Sequence, residues 1–384
     1  MKITNTKVGI LGGGQLGKML SLAAHNWDIE TWVLDESKNF PAGPVCSHFT
    51  EGNFKDFKDV YSFGKQVDVL TIEIEHVNTE AMLQLEAEGL KIHPSPSKLN
   101  LIKDKGLQKE FYRTNHLPTS SFRLYDSGAA IRAALAKGEL TYPFVQKSRT
   151  AGYDGRGVAV IRSASELEQN LLPEASVVED LVDIEKEIAV IVARNERGEV
   201  VCFPAVEMEF NPVANLVEFL VCPAAIDSVT EKAAEALSIR IIEAFDLCGL
   251  LAVELFLTKD KQLLINEVAP RPHNSGHHTI DSCFTSQFEQ HLRAILNLPL
   301  GSTKMKTASV MVNLLGEPGY TGPVQYDGFE TCIAMEGVKV HLYGKPTTKP
   351  YRKMGHVTIL DADPEAAKAK ARRVREILKV LSKH

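Results

Sequence analysis

Apolar and polar positions change rhythm twice along the chain, and each change marks a structural unit. Residues 7 to 11 (KVGIL) form a short apolar run ended by glycines, Gly17 to Asn26 carry a helical pattern, and Glu30 to Leu34 form a second run. That order predicts a βαβ opening. Apolar runs return at Val67 to Ile74 and Leu90 to His93, with a helix expected from Thr79 to Glu88 between them. Strands that are apolar throughout, separated by helices, read as an open parallel sheet covered on both faces. Pro94-Ser95-Pro96 punctuates its end.

A polar-faced helix from Ile102 to Asn115 leads through Pro118 into a different pattern. Strands are predicted at Phe144 to Lys147, Val158 to Ile161, Val177 to Glu179, Glu187 to Val192 and Val200 to Pro204, the last two joined at Glu196-Arg197-Gly198. A helix from Val229 to Phe245 precedes a second hairpin, Leu251 to Leu257 and Gln262 to Val268. From about Thr307 strands alternate with turns, and a last helix starts at Asp363-Pro364. Its basic run, Lys368 to Arg375, reads as a solvated face. The expected division is a Rossmann-like parallel α/β unit over 1–104, an α+β unit over 105–305 with a sub-unit at about 116–182, and a β-rich cap over 306–384.

Composition agrees with several folded units: 384 residues, 44% hydrophobic and 24% charged. Basic and acidic residues number 43 and 49, giving −6 with no block of one sign, which argues against nucleic-acid binding by bulk electrostatics. No run resembles a signal-peptide core or a membrane span, so a cytoplasmic location and no membrane partner are expected. The six cysteines are scattered, without a C-x-x-C pair, and read as free thiols.

Four segments carry candidate chemistry. Gly12-Gly13-Gly14-Gln15-Leu16-Gly17 satisfies G-x-G-x-x-G, with Asp35 after the next strand. Such a turn suits a dinucleotide, another phosphate ligand or a purely structural role, and the three stay open here. Gly152-Tyr153-Asp154-Gly155-Arg156-Gly157, between two strands and following Lys147, suits a flap whose amides close over a polyphosphate while the lysine supplies a point charge. Glu254 and Glu267 stand in otherwise apolar strands, LLAVELFL and LLINEV. With the turn at Lys259-Asp260, residue 254 faces 265 and Glu267 lies one diagonal step away on the same face. Two buried like charges are costly, and a bound Mg²⁺ would offset that cost. Arg271, His273 and Asn274 follow directly and suit an anion. A zinc site from His273, His277 and His278 has no supporting ligand spacing. Lys345, Arg352-Lys353 and His356 form a basic cluster fit for a phosphate or carboxylate.

Together, GYDGRG, the preceding lysine, VVEDLV, the paired glutamates and NEVAPRPHNSGHH resemble the ATP-grasp superfamily and, within it, the N5-carboxyaminoimidazole ribonucleotide synthetases of purine biosynthesis. The likeness runs from GGGQLGKM through IEIEH to RKMGHVTI. It implies an ATP-grasp fold with a Rossmann-like first unit, a homodimer, and ATP and Mg²⁺ as cofactors. Lys105 and Lys147 would contact phosphates, Gly152, Tyr153, Asp154, Gly155, Arg156, Gly157 and Val158 would form the flap, and the backbone of Glu179, Asp180, Leu181 and Val182 would hold adenine. Glu187 would take the ribose, Glu254 and Glu267 the magnesium, with Asn266 beside them. Glu73, Tyr153, Asp154, Arg271, His273, Asn274, Lys345, Arg352 and Lys353 would meet 5-aminoimidazole ribonucleotide, and bicarbonate would be the third substrate. The family often has arginine at the position of Lys105, and E-N-I-H where this chain has Glu207-Met208-Glu209-Phe210, so Glu207 is carried only as a nucleotide contact. A nicotinamide dehydrogenase would leave the flap and the paired glutamates unexplained. The resemblance makes Asp154 the proton acceptor: Asp154→Asn should lose carboxylation far more than ATP binding, and equal loss of both would point to a structural role instead.

Overall fold

The computed structural model describes residues 3–150, 157–210 and 217–383. The first unit is a five-stranded parallel sheet in the order His48–Glu51, Glu30–Asp35, Lys7–Leu11, Val69–Ile72, Lys91–His93. The central strand is apolar from Val8 to Leu11 because helices cover both of its faces: Val8 and Ile10 pack under Gln15–His25, while Leu11 packs with Val60, Phe63 and Leu85 on the other side. The pattern missed the edge strand His48–Glu51, whose half-exposed residues (HFTE) carry no apolar run.

The helix expected over Ile102 to Asn115 is two helices, Pro96–Lys103 and Lys105–Thr114. Asp104 divides them. Its backbone is extended, and its Oδ1 accepts from the amides of Gly106 (2.7 Å) and Leu107 (3.1 Å), an N-cap inside what looked like one periodic segment. Arg149 fixes that carboxylate through Nε (2.9 Å) and Nη2 (2.7 Å). The break starts the second helix at Lys105, so Lys105 and Lys109 share one face at i, i+4.

A four-stranded antiparallel sheet follows, in the order Phe122–Tyr125, Ser176–Asp180, Phe144–Ser148, Val158–Ile161. The flap joins its last two strands, and residues 151–156 of it lie outside the described residues. The largest sheet is antiparallel and runs Leu263–Ala269, Gly249–Thr258, Ile184–Arg194, Val206–Phe210, Val217–Cys222, Ser309–Leu315, Lys353–Leu360, Val338–Leu342, with Val200–Cys202 paired beside Ile184–Arg194. It crosses the expected boundary at 305: Phe219 to Cys222 pair with Val312 to Ser309, so the cap extends the sheet that carries the glutamates. The closing helix, Pro364–Ile377, does start at an Asp363 cap. Its basic run is not simply solvated, because Lys368 pairs with Glu209, Arg375 with Glu218 (2.5 Å) and Lys370 with Asp361 (3.4 Å). All six cysteines are free thiols, and among the described residues no helix is long and apolar enough to cross a membrane.

Asp104→Ala removes the cap and strands the Arg149 guanidinium, and should cost about 1–2 kcal/mol in urea unfolding. A loss below about 0.3 kcal/mol would show that Asp104 does not hold this helix start.

Candidate active site

The carboxylate hairpin departs from the expected register in an informative way. Leu255 faces Ile265, but a bulge then makes Asn266 the extra residue and sets Glu254 directly opposite Glu267. Pairing on the neighbouring strand puts Ala189 beside Glu254, and hence Glu187 on the same face. Asn266 donates through Nδ2 to Glu254 Oε2 (3.4 Å) and accepts from Lys147 Nζ through Oδ1 (2.9 Å). Lys105 pairs with Glu267. The side chain of Glu254 is 17% exposed, while that of Glu267 opens to the cleft at 44%.

Electrostatics divides the pair. Burial, then Glu267 and Glu187, push the Glu254 carboxyl well above the usual carboxylate range, whereas Lys105 holds Glu267 below it. Burial also raises Glu187, against Lys147. His273 stands 3.7 Å from Glu254 Oε1 through Nε2, but burial, with Arg271 and Lys353, pulls its imidazole down to about 4. It therefore faces Glu254 as a neutral ring at neutral pH. Facing carboxyls, one keeping a proton and the other an ammonium while the site is empty, fit a hard divalent cation that would take the place of both. Among the described residues no group of three or more His, Cys, Asp or Glu side chains is arranged to hold a metal ion, so other ligands of such a cation would come from a bound nucleotide and water.

Lysines occupy the opposite wall. Glu179 receives Lys147 on Oε2 (3.1 Å) and Lys109 on Oε1 (3.0 Å), with Ser120 Oγ donating to Oε2 (2.8 Å). Burial alone would raise its pKa, but Lys147 and Lys109 outweigh burial and hold it at about 2. The sequence pointed to the Glu179 backbone; its side chain is the node between two lysines, and Lys109 and Ser120 were not foreseen. Their only signal was the i, i+4 spacing of Lys109 from Lys105. Asp180 and Leu181 are exposed and Val182 half-buried in the link to Ile184–Arg194. Glu207 is not brought into the site. It pairs with Ile188 and so lies on the other face of the sheet, bound to Lys186 (2.7 Å) and the Ala225 amide (3.2 Å). Gly157 has φ +72°, and Val158, at the flap's far end, is exposed. Gly152, Tyr153, Asp154, Gly155 and Arg156 lie outside the described residues.

At the amino-terminal glycine turn the anion is the protein's own. Glu73 accepts from the amides of Gly14 (2.8 Å) and Gly17 (2.7 Å), and Asp35 from Gly13 (2.6 Å). A Cβ on Gly12 would lie 2.4 Å from Glu73 Cγ, and one on Gly14 2.5 Å from Glu73 Oε1. Glu73 thus fills the place of a pyrophosphate, which favours the structural role for the turn. The remaining cations gather from both ends of the chain. Arg271 Nη2 meets Glu75 Oε1 (2.8 Å), Lys345 Nζ donates to Lys353 O (2.7 Å), and Arg352 Nη1 donates to Thr347 O (2.7 Å). Lys18 donates to Leu342 O (3.0 Å) and Tyr343 O (3.2 Å), joining the first helix to the cap loop before Lys345. Asn274 opens a short 3-10 turn, Asn274–Gly276, and accepts from the His277 amide (3.2 Å). His277 and His278 are buried behind His273, bonded to Gln287 (3.1 Å) and Ser282 (2.9 Å).

Comparison with known proteins agrees with this geometry. Residues 110–288 match the ATP-grasp domain, 5–103 the ribonucleotide synthetase preATP-grasp domain, and 309–370 the phosphoribosylaminoimidazole carboxylase C-terminal domain. Fold and site thus define an ATP-grasp protein. The chain superposes on N5-carboxyaminoimidazole ribonucleotide synthetase from Thermotoga maritima with a TM-score of 0.90 and 44% identity, covering 98% of this chain and 100% of that one. It belongs to the N5-carboxyaminoimidazole ribonucleotide synthetase family. The Aspergillus clavatus N5-carboxyaminoimidazole synthase, solved in complex with ADP and 5-aminoimidazole ribonucleotide, is 33% identical with a TM-score of 0.89 over 98% of this chain and 99% of that one. The chloroplastic phosphoribosylaminoimidazole carboxylase of Vigna aconitifolia is 39% identical over 92% of this chain. This chain spans 64% of that relative's length.

Removing the raised carboxyl should help the empty protein. Glu254 binds its proton more tightly folded than unfolded, so the wild type loses stability as pH rises through and above the ordinary carboxylate range, and Glu254→Gln does not. Without divalent cations the variant should gain on the wild type in urea unfolding between about pH 5.5 and about pH 8. A pH-independent difference would contradict the proposed charge state.

Proposed function

We propose that this chain uses ATP and bicarbonate to carboxylate the exocyclic amine of 5-aminoimidazole ribonucleotide, giving the N5-carboxyamino product with ADP and phosphate, as a step of purine biosynthesis. The observation that carries the reading is the face-to-face Glu254 and Glu267 with Lys105, Lys147 and Asn266 around them. A family member described with both ADP and the aminoimidazole ribonucleotide supports it.

Glu254 and Glu267 would hold Mg²⁺, which when bound offsets charge on the nucleotide's phosphates. Lys147 places its ammonium where phosphoryl oxygens gain charge as a bicarbonate oxygen attacks the γ-phosphorus and the bond to the β-phosphate oxygen breaks. That step yields ADP and carboxyphosphate. The amine then attacks the carboxyl carbon, the bond from that carbon to the phosphate oxygen breaks, and Asp154 takes the amine proton. Arg271, anchored by Glu75, orients the carboxylate, and neutral His273 adds no charge to compete with it. Lys345 and Lys353, with Arg352 tying down the same turn, would receive the ribonucleotide's phosphate. The flap, from Gly152 to Val158, would keep water from the carboxyphosphate. A three-unit division at 104 and 305, a homodimer and a cytoplasmic location complete the reading.

ADP release measured with bicarbonate, with and without the ribonucleotide, tests it. Release should depend on the ribonucleotide, and a nicotinamide absorbance control should stay flat. Well-folded protein whose ADP release ignores the ribonucleotide would sink the proposal.

A further inference from the structure

Lys109 is a charged group buried to 2% exposure beside Glu179, also 2% exposed. Burying an ammonium costs several kcal/mol unless each of its protons finds an acceptor. Two are hydrogen-bonded, to Thr119 Oγ1 (2.6 Å) and Ser120 Oγ (3.0 Å), and Glu179 Oε1 lies 3.0 Å from the ammonium as its ion-pair partner. The hydroxyl protons are used elsewhere, Thr119 donating to Ile265 O (2.8 Å) and Ser120 to Glu179 Oε2 (2.8 Å), so both oxygens are free to accept from the lysine. The remaining side of Glu179 takes Lys147 (3.1 Å), which reaches on to Asn266 beside Glu267.

Charge decides what this arrangement does. Lys147 and Glu179 alone would make a neutral pair, leaving little potential to attract a polyphosphate in the cleft. With Lys109 the trio carries one net positive charge, and only Lys147 of the two lysines also borders the carboxylate pair through Asn266. We propose that Lys109 is a positioning residue for phosphate binding: it takes up one side of Glu179 from behind, so that the charge of Lys147 remains available to a nucleoside di- or triphosphate. Burial draws Lys109 down to about 8, with Glu179 opposing and Lys147 and Lys105 reinforcing, which still leaves it an ammonium at neutral pH.

The inference rests on the nucleotide site proposed above, and binding tests it without turnover. ADP and adenosine affinities are measured by calorimetry on the full chain for wild type, Lys109→Met and Lys109→Met/Glu179→Gln, with circular dichroism confirming folding. Lys109→Met should weaken ADP about tenfold or more while adenosine holds, and the double variant, which removes both hidden charges, should recover ADP to within about threefold of wild type. Unchanged ADP binding in folded Lys109→Met, equal loss of ADP and adenosine, or a double variant no better than the single one would overturn it. If Lys109→Met fails to fold, the double variant decides: ADP binding near wild type supports the proposal, and a loss of about tenfold or more refutes it. Wild-type protein that binds no ADP would instead sink the nucleotide reading itself.

Discussion

The apposition of Glu254 and Glu267 is the constraint around which the rest of the site is arranged. One bulge at Asn266 turns a diagonal pair into a facing pair, and two carboxylates then compete for one desolvated space. The protein does not neutralise them with an arginine fork. It sets a lysine on one, an amide on the other and a histidine held neutral nearby, so that one carboxyl keeps its proton and the other faces an ammonium in a cleft that opens on one side. A fold that keeps such a pair gives up stability in the empty state, which the proposed cation would restore on binding.

The glycine turn shows the opposite solution within the same chain. There a single carboxylate, Glu73, is satisfied by backbone amides and closed in by glycines that leave no room for side chains. The helix N-terminus that would suit a bound pyrophosphate is satisfied internally, which separates this Rossmann-like unit from dinucleotide-binding ones despite the shared motif. Positive charge is gathered instead at the lysine wall. There flexible ammoniums on two elements meet one buried acid, and their net charge is set by how many of them that acid must share.

Much of this was legible in the sequence because the signals were local. The parallel sheet followed from apolar runs between helices, the closing helix from Asp363-Pro364, and the residues of the carboxylate pair from two glutamates in apolar strands. What escaped depended on particular side chains reaching across the fold. Asp104 cut a helix because its carboxylate, locked by Arg149, competed for two amides. Asn266 shifted a register that turn counting fixed differently. Glu207 sits in a strand that alternates apolar and polar residues, VEMEF, but only the pairing with Ile188 shows that it takes the face away from the carboxylate pair. The partnership of Lys109 with Glu179 spans seventy positions, which no window of sequence reports.

Sheet continuity explains how units distant in sequence act on one site. The cap strand Ser309–Leu315 pairs directly with Val217–Cys222, so the strand that starts at Lys353 belongs to the same sheet as the glutamates. Lys18 then ties the cap loop to the first helix, whose amides hold Glu73. Glu75, two residues further on, anchors Arg271 at the end of the carboxylate hairpin. Three units are thereby fixed to one another through side chains that flank the cleft. The cap and the cations of the cleft are therefore joined by continuous strands and a few charge-assisted bonds.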